Sequence, residues 1–328
     1  MREWTFHGGR IGQARQVYGH PQAAWLDLST GINPHSWPGA GAVAVDWRAL
    51  PDEQALADLE AAAAARFGAD PAFVCALPGT EIGLRLLGTV LPPGGAHVAP
   101  AYRSHADALT DGRGIAPEHM EQAVRAGASL LLANPNNPDG RITPPERLHA
   151  LLRDLAPGRH LIVDEAFADA QPEISLAGHV GDGVPLVLFR SFGKYFGLAG
   201  VRLGFVLAPR PIIAAYRARL GSWPVSAAAI AIGAAAYRDA RWIDAMRTRL
   251  AEDAARLDAL LARHGYAATG ASPLFRLIRT PDAAVLFDRL ARAAILTRPF
   301  DHDPDVLRFG LPGSEAAFAR LDRALADG

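Results

Sequence analysis

Of the 33 lysine and arginine residues in this chain, 32 are arginine, and the one lysine is Lys194. Arginine keeps its proton under all ordinary conditions, whereas a lysine in an apolar setting can become a neutral amine and condense with a carbonyl. A solvated surface position is the ordinary fate of a lysine, yet it leaves unexplained why this site alone escaped the bias toward arginine. Lys194 lies in Arg190-Ser191-Phe192-Gly193-Lys194-Tyr195-Phe196-Gly197-Leu198-Ala199-Gly200-Val201-Arg202-Leu203-Gly204, an aromatic and glycine-rich setting that disfavours the ammonium form. Ser191 and Arg202 bracket it with a hydroxyl and a guanidinium, both good phosphate ligands. Arg202 by itself would signify little in a chain so rich in arginine.

Three other segments could carry chemistry. Leu77-Pro78-Gly79-Thr80-Glu81 sets a glycine and a hydroxyl before a helix over 82–90, where free N–H groups and the helix dipole form an anion cup. A plain N-cap by Thr80 is the commoner use of such a sequence. Asn134-Pro135-Asn136-Asn137-Pro138-Asp139-Gly140 reads as a rigid polar turn that can hold an amide at the edge of a sheet, or as turn chemistry alone. Asp164-Glu165 follows an apolar run, so Asp164 is either a helix cap or the partner of a cation, while Glu165 is expected to face solvent or cap.

The elements that must position these groups follow from hydrophobic patterning. Short apolar runs at 73–77, 96–99, 129–133, 160–163, 186–189 and 203–207 are followed by turn residues and helical patterns, the signature of buried parallel strands joined by crossover helices. In such α/β sheets ligands sit beyond the carboxyl ends of the strands, which is where the residues above fall. After residue 209 the pattern becomes long Ala/Arg/Leu helices at 211–220, 227–239 and 242–264, then strands at 274–278 and 306–309 and a closing helix at 314–326 with Ser314 as N-cap. This predicts an arm over 1–39 packing on the smaller domain, a large domain over 40–210, and connecting helices with a small α+β domain over 211–328.

Composition narrows the function. With 33 basic and 34 acidic residues there is no positive field for nucleic acid or an anionic membrane surface, so neither is expected as a partner. One cysteine, Cys75, excludes an internal disulfide and makes a structural metal site implausible, so no metal is expected. There is no apolar run of membrane-spanning length and no apolar leader at the N-terminus; a cytoplasmic location is the default.

Taken in order from Gly79-Thr80-Glu81 to Arg308, with the Ser-x-x-Lys-x(7)-Arg element over 191–202, the residues resemble the fold-type I pyridoxal-phosphate enzymes of the class I/II aminotransferase superfamily. The resemblance spans nearly the whole chain. It implies that Lys194 carries pyridoxal 5'-phosphate as a Schiff base, that Asp164 pairs with the pyridine nitrogen, and that Asn137 donates to the ring oxygen. Gly79, Thr80, Ser191 and Arg202 would hold the phosphate, with Glu81 beside them. Tyr102 would stack on the ring, His105 would support Asp164 from behind, and Arg308 would receive the substrate carboxylate.

Within the superfamily, His7-Gly8-Gly9, Asp27-Leu28-Ser29-Thr30-Gly31-Ile32-Asn33-Pro34 and Trp223-Pro224-Val225-Ser226 are similar to the branch that decarboxylates phosphorylated threonine. His7, Gly8, Arg10, Ser29 and Asn33 would then bind a phosphoester, although a terminal segment of this kind is often merely flexible. Phe167 stands where many aminotransferases have a tyrosine that donates to the ring oxygen, a change shared with the decarboxylase branch. Leu50 stands where many relatives offer a tyrosine to the partner subunit of a homodimer. The alternative of the same chemistry class is an aminotransferase of the histidinol-phosphate type. A cofactor-binding regulator without catalysis ranks low, since the lysine, aspartate, asparagine and arginine set is whole and no DNA-binding extension is present.

Overall fold

The computed structural model describes residues 4–20 and 24–326. The chain divides into two compact units, one built from Met1–His35, Pro138–Arg141 and Ala245–Gly328, the other from Ser36–Asn137 and Ile142–Asp244.

The second of these units is built on a seven-stranded sheet. Its order is Val74–Leu77, Gly204–Leu207, Leu186–Ser191, Leu161–Asp164, Ser129–Ala133, Gly95–Val98 and Gly112–Ile115. The strands from Leu186–Ser191 to Gly112–Ile115 pair in parallel, in line with the α/β expectation. Gly204–Leu207 runs antiparallel to both its neighbours, against the reading of that run as one more parallel strand. The reason is local: 192–203 contains only the short helix Phe192–Tyr195 and the turn Ala199–Val201, too little for the crossover a parallel return needs. The edge strand Gly112–Ile115, of sequence Gly-Arg-Gly-Ile, escaped the apolar-run criterion because its middle residues are exposed and two are glycine.

The edge strand Val74–Leu77 and the four strands Gly204–Leu207, Leu186–Ser191, Leu161–Asp164 and Ser129–Ala133 are buried along their whole length, and Leu77, Leu84, Leu131, Ile162, Val187, Phe189 and Val206 share one core. The helix Thr80–Val90 lies close on this sheet because Gly83 leaves room: a Cβ there would come within 2.5 Å of Leu77 and 2.7 Å of Phe189. Tyr216, from the helix Arg210–Leu220, joins the same core and donates its hydroxyl to the Gly83 carbonyl at 2.9 Å. Gly233 of the helix Ala227–Arg238 likewise meets Leu203 and Leu59. These two helices therefore group with the large sheet, and the division expected near residue 210 falls instead after Asp244.

The other unit has a four-stranded antiparallel sheet in the order Arg298–Pro299, Val306–Gly310, Phe275–Arg279 and Ala268–Thr269. The N-terminal segment is part of it: Leu26–Asp27 pairs in parallel with Ile295–Leu296, and the Leu28 carbonyl accepts from Gly310 N at 2.7 Å. The closing helix is Glu315–Ala326, and Ser314 Oγ accepts from Ala317 N at 3.2 Å, as a cap should.

Candidate active site

Adjacent strands of the large sheet end in the residues singled out for chemistry. Asp164 closes Leu161–Asp164 and Ser191 closes Leu186–Ser191, both buried. Together with Gly79, Thr80, Glu81, Tyr102, Asn137, Phe167, Lys194 and Arg202 they line one cavity of about 140 Å³. Asp164 Oδ1 accepts from Ala166 N at 3.1 Å, and Oδ2 lies 3.0 Å from Nε2 of the fully buried His105. A carboxylate only accepts, so Nε2 is the donor, and the ring of His105 fixes the direction of the carboxylate. Its Nδ1 has no hydrogen-bond partner among the described residues.

Asn137 is presented by a turn pinned from within. Asn134 Nδ2 donates to the Thr143 carbonyl at 3.1 Å and its Oδ1 accepts from Thr143 N at 2.9 Å; Asn136 donates to the Pro100 carbonyl at 3.1 Å. Lys194 Nζ lies 5.8 Å from the centre of the Phe167 ring, so an apolar face stands beside the amine.

Opposite in character is the cup. Gly79 is the N-cap of Thr80–Val90 at φ 90°, with no side-chain cap. Thr80 is thus the first helical residue, not the cap, and its hydroxyl is not consumed in that role. A Cβ on Gly79 would come within 2.8 Å of the Arg202 guanidinium, so only glycine lets that cation approach the free N–H groups. Arg202 itself is held at φ 56°, ψ 56°, an uncommon conformation for a non-glycine residue.

Glu165 departs from expectation. It is completely buried, and its carboxylate accepts from Arg190 at 2.8 Å, Ser175 Oγ at 2.6 Å and Leu176 N at 2.8 Å. Arg190 also pairs with Asp169. Successive side chains at a strand end point to opposite sides, so Asp164 meets the cavity and Glu165 the interior. The Arg190–Asp169 partnership went unread because nothing in the spacing marks it. Ser104 and Arg85, both bonded to Glu81, also went unread, although Glu81 and Arg85 have the i,i+4 spacing of a helical ion pair.

Arg308, His7, Gly8, Arg10, Ser29 and Asn33 belong to the other unit. Arg308 is buried on Val306–Gly310, donates to the Ser29 carbonyl at 2.9 Å, and stacks 4.9 Å from the Phe275 ring centre. Burial, and then the neighbouring Arg298, push its guanidinium down to about 9, with Asp27 opposing. A buried cation under that pressure is stabilised by an anion. Ser29 Oγ donates to Asp27 at 2.5 Å and accepts from Gly9 N at 2.7 Å. Gly8 approaches so closely that a Cβ would lie 2.4 Å from the Ser29 carbonyl oxygen. Asn33 is buried, with Oδ1 accepting from His35 N at 2.8 Å. His7 is exposed and Arg10, at the start of the helix Ile11–Tyr18, is half-buried.

Among the described residues no group of three or more His, Cys, Asp and Glu could hold a metal ion, and no helix is long and apolar enough to cross a membrane.

A sheet of this topology, with a lone lysine, a carboxylate and an anion cup at its strand ends, marks a class of enzyme fold. The model of the family "Aminotransferase class I and II" matches residues 44–324, and the chain belongs to that family. It is 41% identical to a protein named threonine-phosphate decarboxylase from Sinorhizobium sp, over 98% of this chain and 97% of that one. A second of that name, from Pseudomonas aeruginosa, is 41% identical over 97% of this chain and 96% of its own. Among solved structures, histidinol-phosphate aminotransferase from Sinorhizobium meliloti in complex with pyridoxal-5'-phosphate matches with a TM-score of 0.82 at 21% identity, covering 97% of this chain and 93% of that one. That likeness shows the fold.

Proposed function

We propose that the chain is a pyridoxal-phosphate-dependent decarboxylase that converts L-threonine O-3-phosphate to CO₂ and (R)-1-amino-2-propanol O-2-phosphate, for cobalamin (cobinamide) biosynthesis. The observation that carries this reading is the 41% identity, over nearly the full length of both chains, to two proteins named for that reaction.

The cavity suits the cofactor. A cradle made by Gly79, Thr80, Ser191 and Arg202, into which a Cβ on Gly79 would intrude, offers N–H, hydroxyl and guanidinium donors to a phosphate. A buried carboxylate oriented by His105 suits a protonated ring nitrogen, and Lys194 offers an amine to an aldehyde. When bound, pyridoxal phosphate supplies the electron sink that takes up the pair left by a broken bond at Cα. Asp164 would keep negative charge at the ring nitrogen, and Asn137 would donate to the ring oxygen. Lys194 Nζ would hold the cofactor and would supply the proton that replaces the lost carboxylate at Cα. Arg308 takes the substrate carboxylate, and His7, Gly8, Arg10, Ser29 and Asn33 take the phosphoester. Two anionic ends held by different groups prevent the substrate from turning about its Cα–N bond, so one bond at Cα is selected. The carbon bearing the phosphoester is untouched and keeps its configuration.

A homodimer and a cytoplasmic location complete this reading. It is tested by supplying L-threonine phosphate to the purified protein without any 2-oxo acid. Stoichiometric CO₂ is expected, with catalytic efficiency on unphosphorylated threonine lower by about tenfold or more for each charge-assisted hydrogen bond to the phosphate that can no longer form. Glutamate formed from 2-oxoglutarate and a phosphorylated amine, with no CO₂ from threonine phosphate, would establish the aminotransferase instead.

A further inference from the structure

An acid in the first turn of a helix that caps an anion cup is electrostatically awkward, because a carboxylate so placed repels a phosphate. Glu81 directly follows Thr80 in such a turn, yet its carboxylate is fully engaged elsewhere. Arg85 Nε donates to Oε1 at 2.8 Å, Ser104 Oγ lies 2.7 Å from Oε2 and 3.0 Å from Oε1, and the Tyr102 hydroxyl donates to Oε2 at 3.0 Å. Burial opposes the charge of Glu81, but these donors outweigh it and hold the carboxyl below its ordinary range. The Tyr102 ring stands edge-on to His105, at 6.0 Å and 90°, and His105 in turn orients Asp164. A contiguous chain of contacts thus runs from the helix that carries the cup to the carboxylate at the far end of the cavity.

We propose that Glu81 is a positioning residue: balanced by Arg85 and Ser104, it anchors the Tyr102 hydroxyl and so fixes the ring that faces the cofactor, instead of binding the phosphate itself. This rests on the pyridoxal-phosphate reading above. Without that anchor the Tyr102 ring would be free to turn about its Cα–Cβ bond.

The test titrates pyridoxal phosphate into the cofactor-free full chain and follows both affinity and the circular dichroism that the bound chromophore acquires. Wild type, Glu81→Gln, Tyr102→Phe and the double variant are compared, with denaturant midpoints of the cofactor-free proteins as a folding control. Each single substitution is expected to weaken binding by about tenfold, the loss of one charged hydrogen bond, and to reduce the induced signal. The double variant should be no worse than either single one, because both break the same hydrogen bond. Wild-type affinity and signal in Glu81→Gln, full additivity with Tyr102→Phe, or a change confined to the denaturant midpoint would overturn the assignment. A wild-type chain that binds no pyridoxal phosphate would overturn the functional reading together with this one.

Discussion

Lys194 stands beside the Phe167 ring in a cavity that also holds Asp164, and no second lysine exists to substitute for it. Borohydride reduction of the loaded protein should fix pyridoxal phosphate on the peptide that contains Lys194, and Lys194→Arg should abolish the label; peptide mapping by mass spectrometry decides this. Label on the terminal amine alone would exclude Lys194. Asp164→Asn should retain the cofactor, since the phosphate cup is intact, but lose activity by about a hundredfold. An amide cannot hold a proton on the ring nitrogen as an opposite charge within hydrogen-bonding reach does, an effect of one or more units on that nitrogen's titration. Turnover within a few-fold of wild type would contradict that role. The lysine and the aspartate were legible in the sequence because each follows an apolar run and the lysine is unique; the direction in which His105 turns the carboxylate was not.

Among the elements, the strand ends are held by a buried ion cluster. Glu165 and Asp169 both meet Arg190, which precedes Ser191, just as Glu165 follows Asp164. The cluster therefore ties together the two strand termini that carry the site. Glu165→Gln should lower unfolding free energy by roughly 2 kcal/mol, since it removes one of the two carboxylates that face the buried Arg190 while Asp169 stays in place. Urea midpoints measure this; a loss under about 0.5 kcal/mol would show the cluster to be dispensable. On the edge strand Val74–Leu77, burial and then the charge of Glu60 push the Cys75 thiol from 9.0 up to about 12. The folded chain keeps this proton while the unfolded chain releases it between those values, so Cys75 makes stability fall as pH rises through that window. The thiolate is the reactive form, so alkylation of the native protein at pH 8 should be slower than in denaturant by at least about a hundredfold. Equal rates would show the strand to be open.

At the scale of the whole molecule, the large-sheet unit leaves Trp47, Leu50 and Trp223 exposed at 80%, 65% and 55%. Trp223 is held at φ 54°, a strained state for so bulky a residue, and it lines a broad cavity of about 490 Å³ with Pro51, Leu56, Leu220 and Val225. Large apolar side chains left in water are consistent with the homodimer proposed above, which would cover them. Sedimentation equilibrium should find a dimer, and Trp47→Asp with Leu50→Asp should shift it toward monomer by about tenfold or more in dissociation constant. A monomeric wild type would refute the homodimer.

Sequence alone determined what depends on residue type and local order: an α/β class from apolar runs and helical spacing, an amine at Lys194, and a glycine and a hydroxyl at a helix start in Gly79-Thr80. These were readable because side-chain chemistry and short-range periodicity act within a few residues. Tertiary structure decided the rest. Asp164 and Glu165 are neighbours of one charge, and only the packing of the sheet shows that one meets the cavity and the other Arg190. The run at 203–207 looks like its parallel neighbours, and only the shortness of the preceding connection reverses it. The helices Arg210–Leu220 and Ala227–Arg238 show apolar faces that would suit either core, and the close approaches at Gly83 and Gly233 assign them to the large sheet. Which face and which partner are properties of contacts between residues far apart in the chain, and no local pattern encodes them.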